Sequence, residues 1–200
     1  MVQFLFKLVL CVLLAVTAAF AYLAIKSGDP VYTFHEWMSP ARFQQYDRLI
    51  RGVAWEHHLD PMLVKAVVWR ESRFDPKKQG SHGERGLMQV SERAANEWAR
   101  ETKITGFHPD QLFEPKTNLE AGTWYLHRAM EHWENESDPI PFALAEYNAG
   151  ASRAQRWSGG SGLADMSERQ FLQNIDFPAT RKYVESIIDR YRFYQHRGRM

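Results

Sequence analysis

An internal disulfide is excluded, because Cys11 is the only cysteine in the chain. A lone thiol suits a reducing compartment but does not forbid export. No charge of one sign dominates: Lys and Arg number 25, Asp and Glu 24, and the net charge is +1. That balance argues against a general polyanion binder, and no nucleic-acid motif, phosphate loop or nucleotide fingerprint is present. Long alternation of apolar and polar residues is also missing, which excludes an extensive half-buried sheet. The eight histidines lack the i, i+4 pairing of a zinc helix. His57 and His58 are adjacent, while His127 and His132 lie five apart, so neither a metal nor a cofactor is expected. Internal repeats and low-complexity tracts are absent.

What the chain does have begins at residue 8. LVLCVLLAVTAAFAYLAI is an uncharged apolar run to residue 25, preceded by Phe4, Leu5 and Phe6. Together they reach the roughly 20 residues needed to cross a ~30 Å hydrocarbon layer. Lys7 and the α-amino group precede the run, favouring a cytoplasmic N-terminus and an exported domain. Residues 1–25 are therefore read as a membrane anchor. The competing reading is a signal peptide cleaved near the small-x-small stretch AFA at 19–21. Either reading places the remainder outside the cytoplasm. As the expected location this gives a membrane, single-pass with an exported domain, or a secreted protein after cleavage. Cys11 is expected to be a buried small hydrophobe, since Leu10 before it does not suit lipid attachment.

Residues 26–41, with Gly28, Pro30 and Pro40, read as a connector, and 42–200 as one domain large enough for a single core. The domain's periodicity is helical throughout. YDRLIRGVAWEHH repeats apolar residues at 46, 49, 50 and 53. Asp60 as N-cap and Pro61 at the first helical position open a second helix to about residue 72. KKQGSHGERG must be a loop, and LMQV after it a short strand or a segment pinned to the core. Ser91 caps the next helix, Asn118 the one after it, and Asp138 the segment PIPFALAEYNAG. GGSG at 159–162 reads as a turn. A last amphipathic helix, about 178–196, turns Tyr183, Val184, Ile187, Ile188 and Tyr191 inward. Trp55, Trp69, Trp98, Trp124 and Trp133 fall in helical stretches and are expected mostly in the core. Arg190, Arg192, Arg197 and Arg199 are expected on a solvated face, with anionic lipid or polymer as the alternative partner.

Three stretches could carry chemistry. In VVWRESRFDP, residues 67–76, Glu71 stands near the C-terminus of an apolar helix. The helix dipole and desolvation both raise a carboxyl pKa there, as a general acid near neutrality requires. Gly80, Gly83 and Gly86 then allow backbone to approach a ligand closely, and Gln89 adds a two-way hydrogen bonder. In FALAEYNAG, Tyr147 and Asn148 present a phenol and an amide at a helix end. Taken singly, the stretches have blander readings: a solvated glutamate, a surface loop and an Asn-Gly helix cap. Arg70 and Arg73 flank the acid and are read either as surface residues or as partners of substrate carboxylates.

Residues 43–196 resemble the catalytic domain of the family 1 lytic transglycosylases. The resemblance runs in order through ESRFDP, GERGLMQV, PKTNLEAGTWYL, AEYNAG and TRKYV. It implies a mainly α, lysozyme-like domain of two lobes with a central cleft, preceded here by one transmembrane helix. It implies glycan strands of peptidoglycan as substrate, and the bond between N-acetylmuramic acid and N-acetylglucosamine as the one cleaved. By resemblance Glu71 is the catalytic acid and base, and Ser72 supports it. Met88 packs against the sugar and Gln89 hydrogen-bonds near the acid. Tyr147 orients Glu71, and Asn148 contacts substrate. Asn118 and Gly122 match scaffold positions. A lone carboxyl fits a non-hydrolytic route with a 1,6-anhydromuramoyl product, since ordinary glycoside hydrolysis uses two.

Two positions depart from the family pattern. Glu84 puts a second carboxylate in the glycine-rich loop, and Ala179 replaces a glutamate before Thr180. Glu84 keeps open a goose-type lysozyme that hydrolyses the same bond. A non-catalytic peptidoglycan-binding component of a cell-wall-spanning complex is the other alternative. With no further module to embrace strand ends, endo-acting cleavage is expected.

Overall fold

A computed structural model describes residues 2–26, 29–159 and 166–198. The chain divides into two compact units, Met1–Gln44 and Gln45–Met200.

In the first unit, α1 (Val2–Lys26) contains the stretch Gln3–Tyr22, long and apolar enough to cross a bilayer, with none of it buried by protein. Cys11 is exposed on this helix rather than buried, because no other element covers that part of α1. The expected connector is largely helical: α2 (Pro30–Met38) and α3 (Pro40–Gln44) each start at a proline, whose fixed φ suits the first helical turn. Phe20 of α1 meets the rings of Phe34 and Trp37, at 5.7 and 4.0 Å between centroids.

The second unit is mainly α, with only two isolated bridges, Gln79 to Arg85 and Arg85 to Val90, among the described residues. α4 (Asp47–Glu56) buries Ile50, Val53 and Ala54. α5 (Pro61–Ser72) is the central helix. Asp60 accepts from Met62 N at 2.8 Å as its N-cap, and residues 63–69 are buried on every side. A helix apolar all round must be enclosed, and α4 and α11 (Pro178–Arg197) enclose it. Even Lys65 is buried there, paired with Asp47 at 2.6 Å.

α6 (Glu92–Glu101), a 3-10 turn (Pro109–Phe113) and α7 (Pro115–His132) pack together, and α7 continues along α4 and α8 (Ile140–Ala149). Ser91 caps α6, accepting from Ala94 N. α7 starts at Pro115, not at Asn118, which lies inside its first turns and is fully buried. Asp138 accepts from Ile140 N at the start of α8, and Gly150 (φ +88°) ends that helix. α9 (Ala151–Trp157) and α10 (Glu168–Asn174) lie against α8 and complete the domain. The expected turn at 159–162 falls outside the described residues from 160 onward.

Two lobes result, one from α6, the 3-10 turn and the start of α7, the other from α5, α8 and α11, with a cleft between them. Fully buried side chains such as Ile50, Leu63, Leu87, Leu112 and Leu119 each contribute roughly 1.5–3 kcal/mol. Trp69, Trp98 and Trp133 are core, Trp124 is half-buried, and Trp55 is 68 % exposed because it projects from the outer face of α4. In α11, Tyr191 is only half-buried and donates to Asp60 at 2.7 Å. Arg190 is the fully buried neighbour instead, its guanidinium 4.3 Å from the Trp69 ring. Arg192 pairs with Glu168 and Arg197 lies over Phe193, so the expected basic face is broken up. Arg199 lies outside the described residues.

Candidate active site

Glu71 occupies the last turn of α5. The helix stops because Arg73 and Phe74 both take left-handed conformations (φ +55° and +62°), turning the chain away and leaving Glu71 at the cleft wall. Its carboxyl reaches the cleft yet is surrounded by protein, and this desolvation lifts its pKa from 4.5 to about 7. One phenol opposes the shift: Tyr183 of α11 donates to Glu71 Oε1 at 2.7 Å, favouring the carboxylate. Arg70 and Lys78 also lower the pKa, and Glu84 raises it.

Tyr183, rather than Tyr147, therefore donates a hydrogen bond to the acid. The Tyr147 hydroxyl donates to Met88 O at 3.0 Å, and its ring meets Tyr125 edge-on. Burial and then the Glu71 charge push both phenols well above their ordinary pKa, so they remain donors. Tyr183 is legible in the sequence as an inward residue of the last helix and as part of the TRKYV block, but not as a partner of the acid. Its bond to Glu71 spans 112 residues of chain, which no helical period encodes.

Residues 77–90 form the opposite rim. Gly80 N donates to Glu84 O, Gly86 N to Lys78 O, and Arg85 and Val90 exchange both backbone bonds. Gly86 is obligatory: its φ is +77°, and a Cβ would lie 2.3 Å from both Asn118 Nδ2 and Leu112 O. Asn118 clips this loop from α7. Its Oδ1 accepts from Met88 N at 2.7 Å, while its Nδ2 donates to Arg85 O at 2.7 Å and to Leu112 O at 2.8 Å.

Gln89 lines the cleft with Glu71, at φ +47°, but its Nε2 is engaged by the carbonyls of Lys78 and Gly86, each at 3.0 Å. Met88 does not face the cleft. It is fully buried, accepts from Thr123 at sulfur, and fills the space left by Gly122, where a Cβ would come within 2.5 Å of Sδ. Ser72 is likewise turned inward, donating to Val68 O at 3.2 Å. Asn148 does line the cleft, and Thr180 donates to its Oδ1 at 2.8 Å, so its Nδ2 is the donor it presents. Ala179, beside Thr180, is exposed.

Glu71, Tyr183, Tyr147, Asn148, Gln89, Glu84 and Arg70 thus converge on one cavity of about 510 Å³. A buried glutamate, Glu146, anchors the α8 end that carries Tyr147 and Asn148. It accepts from Trp133 Nε1 at 2.8 Å and meets His132 Nδ1 at 2.9 Å. Such a site offers a proton near neutrality, in a groove lined by hydrogen-bonding groups.

Residues 48–169 match the family model described as the transglycosylase SLT domain. The chain belongs to that family. It is 33 % identical over 132 residues to the soluble lytic murein transglycosylase of Salmonella typhimurium, covering 66 % of this chain and 20 % of that one. It is 31 % identical over 145 residues to the X polypeptide of Escherichia coli, covering 66 % of this chain and 80 % of that one. Among solved structures, the 70 kDa soluble lytic transglycosylase of Escherichia coli superposes with a TM-score of 0.70 at 28 % identity, over 76 % of this chain and 24 % of that one. The chain thus spans about a fifth to a quarter of the soluble relatives' length.

Proposed function

We propose that this SLT-domain chain is a peptidoglycan lytic transglycosylase held at the membrane by residues 1–25, with 26–41 as connector and 42–200 as catalytic domain. Its partners on this reading are glycan strands and the bilayer, and its location is the periplasmic face of the bacterial inner membrane. The observation that carries the reading is the Glu71 carboxyl, held by Tyr183 in the cleft with a pKa raised to about 7.

Near neutrality such a group is available in both protonation states. As an acid, Glu71 protonates the oxygen bridging N-acetylmuramic acid to N-acetylglucosamine, and that C–O bond breaks. The acetamido oxygen of the muramoyl unit stabilises the positive anomeric carbon. The Glu71 carboxylate then takes the proton of the muramoyl C6 hydroxyl, whose oxygen closes the 1,6-anhydro ring. The acid ends protonated as it began, and water is not consumed. Asn148 Nδ2 is the donor suited to a substrate carbonyl or hydroxyl. On this reading cleavage is endo-acting, the cleft admitting internal stretches of a strand.

Mass spectrometry of digested sacculi tests this. Terminal 1,6-anhydromuramoyl ends are expected from the start of digestion, and Glu71→Gln should lower lysis by about 10³-fold or more. Reducing muramic acid ends would replace this reading with the goose-type hydrolase, for which Glu84 in the same cleft is the available second carboxylate. Full lysis by E71Q would remove Glu71 from the chemistry. Timed product lengths distinguish internal cuts from release at strand ends.

A further inference from the structure

The cations lining the cleft differ in how far they are committed. Lys78 donates its ammonium to the Glu71 carbonyl oxygen. His82 lies between Ser81 and Glu84. Arg70, one residue before the acid and half-buried, is held on one edge only. Its Nε donates to Ser186 Oγ at 3.0 Å, and its guanidinium lies 5.4 Å from the centre of the Tyr183 ring. Its two terminal nitrogens take no hydrogen-bond or ion-pair partner among the described residues. Arg73 is disposed otherwise, packed on the Trp69 ring at 3.9 Å and donating to Trp69 O. Of the two arginines flanking the acid, only Arg70 lines the cavity.

A guanidinium fixed at Nε and braced on an aromatic ring presents its outer N–H groups as a planar fork. That geometry matches a carboxylate, which can accept two parallel bonds. We propose that Arg70 is a carboxylate-binding residue of the cleft, reading an anionic substituent on the muramoyl unit. The inference rests on the functional reading above and adds a determinant of substrate choice to it. Two sources share this chemistry: the carboxylates of a stem peptide, and the lactyl carboxylate exposed where the peptide has been removed.

The placement also makes physical sense of a conflict in the site. A cation beside an acid that must begin protonated works against it, and Arg70 does draw the Glu71 pKa down. A carboxylate seated on Arg70 offsets that positive field while substrate is bound. The same arginine is linked to the acid through protein. Ser186 accepts from Arg70 and donates to Tyr183 O at 2.9 Å, and Tyr183 donates to Glu71. A test must therefore separate recognition of substrate from support of Tyr183.

Four glycan preparations provide it: strands bearing stem peptides, strands stripped by an amidase, and each of these after carbodiimide coupling of every carboxylate to methylamine. Full-length wild type, R70Q and R70K are compared for kcat and KM, and E71Q with R70Q/E71Q for binding. R70Q should lose about 10- to 100-fold in kcat/KM and in affinity on carboxylate-bearing strands, chiefly through KM, with R70K between. On neutralised strands the wild type should fall to the level of R70Q. A loss confined to peptide-bearing strands assigns the stem; a loss on stripped strands assigns the lactyl group. An equal loss on neutralised strands would reduce Arg70 to a brace for Tyr183, and no loss on any strand would also overturn the proposal. Failure of the wild type to cleave any preparation would sink the transglycosylase reading, while the binding comparison would still decide Arg70.

Discussion

Glu71 and the two phenols near it make separable contributions that substitution can resolve. Tyr183→Phe removes the one side-chain donor to the acid among the described residues, a bond that favours the carboxylate. The alkaline limb of the activity profile should then move to higher pH, with kcat falling roughly 10- to 100-fold as the carboxyl loses its orientation. Tyr147→Phe removes only the bond to Met88 O. It should cost about 0.5–1.5 kcal/mol of stability and leave the limb in place. pH–rate profiles and thermal melts of the pair check both. The raised Glu71 pKa also penalises the fold. Below 4.5 the group is neutral folded and unfolded, and stability is lost as pH rises from there through about 7. Glu71→Gln should therefore melt with wild type at pH 4 and above it at pH 8, by up to about 3 kcal/mol. Melting curves of the two proteins at those pH values suffice.

Local elements were largely legible, and contacts between them were not. The Asp60–Pro61 start of α5, the Ser91 cap and the Gly150 stop all follow from short-range backbone chemistry, and each stands where the sequence puts it. Side-chain direction in an irregular turn has no such period. Met88 was expected against a sugar and lies under Gly122, while Asn118 was expected to cap a helix and instead ties a loop to it. Arg190 reads as a surface cation until Trp69 of the distant helix α5 is brought beneath it. The loop clip is a property of two elements jointly, and so is its failure. Asn118→Ala leaves Met88 N and the carbonyls of Arg85 and Leu112 without that partner, and should cost about 2–5 kcal/mol. Gly86→Ala should be at least as damaging, because it combines a left-handed backbone with collision against Asn118. Denaturant titration measures each.

At the scale of the whole molecule, the apolar α1 and the folded unit after it call for different solvents. No residue of Gln3–Tyr22 is buried by protein, so a bilayer is the environment in which most of that surface is not exposed to water. The full chain should sediment with membranes, resist alkaline carbonate extraction and need detergent for release. Recovery in the carbonate supernatant would make residues 1–25 something other than an anchor. The domain's helical character is readable from its periodicity, and its two-lobed form is what the family resemblance carried by five ordered blocks implies. The acid's true neighbour was not readable, because Tyr183 arrives from the last helix of the chain.

Asn118 imposes an order on assembly. A chain emerging from the ribosome displays its acid and the glycine-rich rim well before α7 exists to grip that rim. The last helix, which brings Tyr183, comes later still. During synthesis the protein therefore carries an unfinished groove, and the hydrogen bond that holds Glu71 forms only when α11 docks.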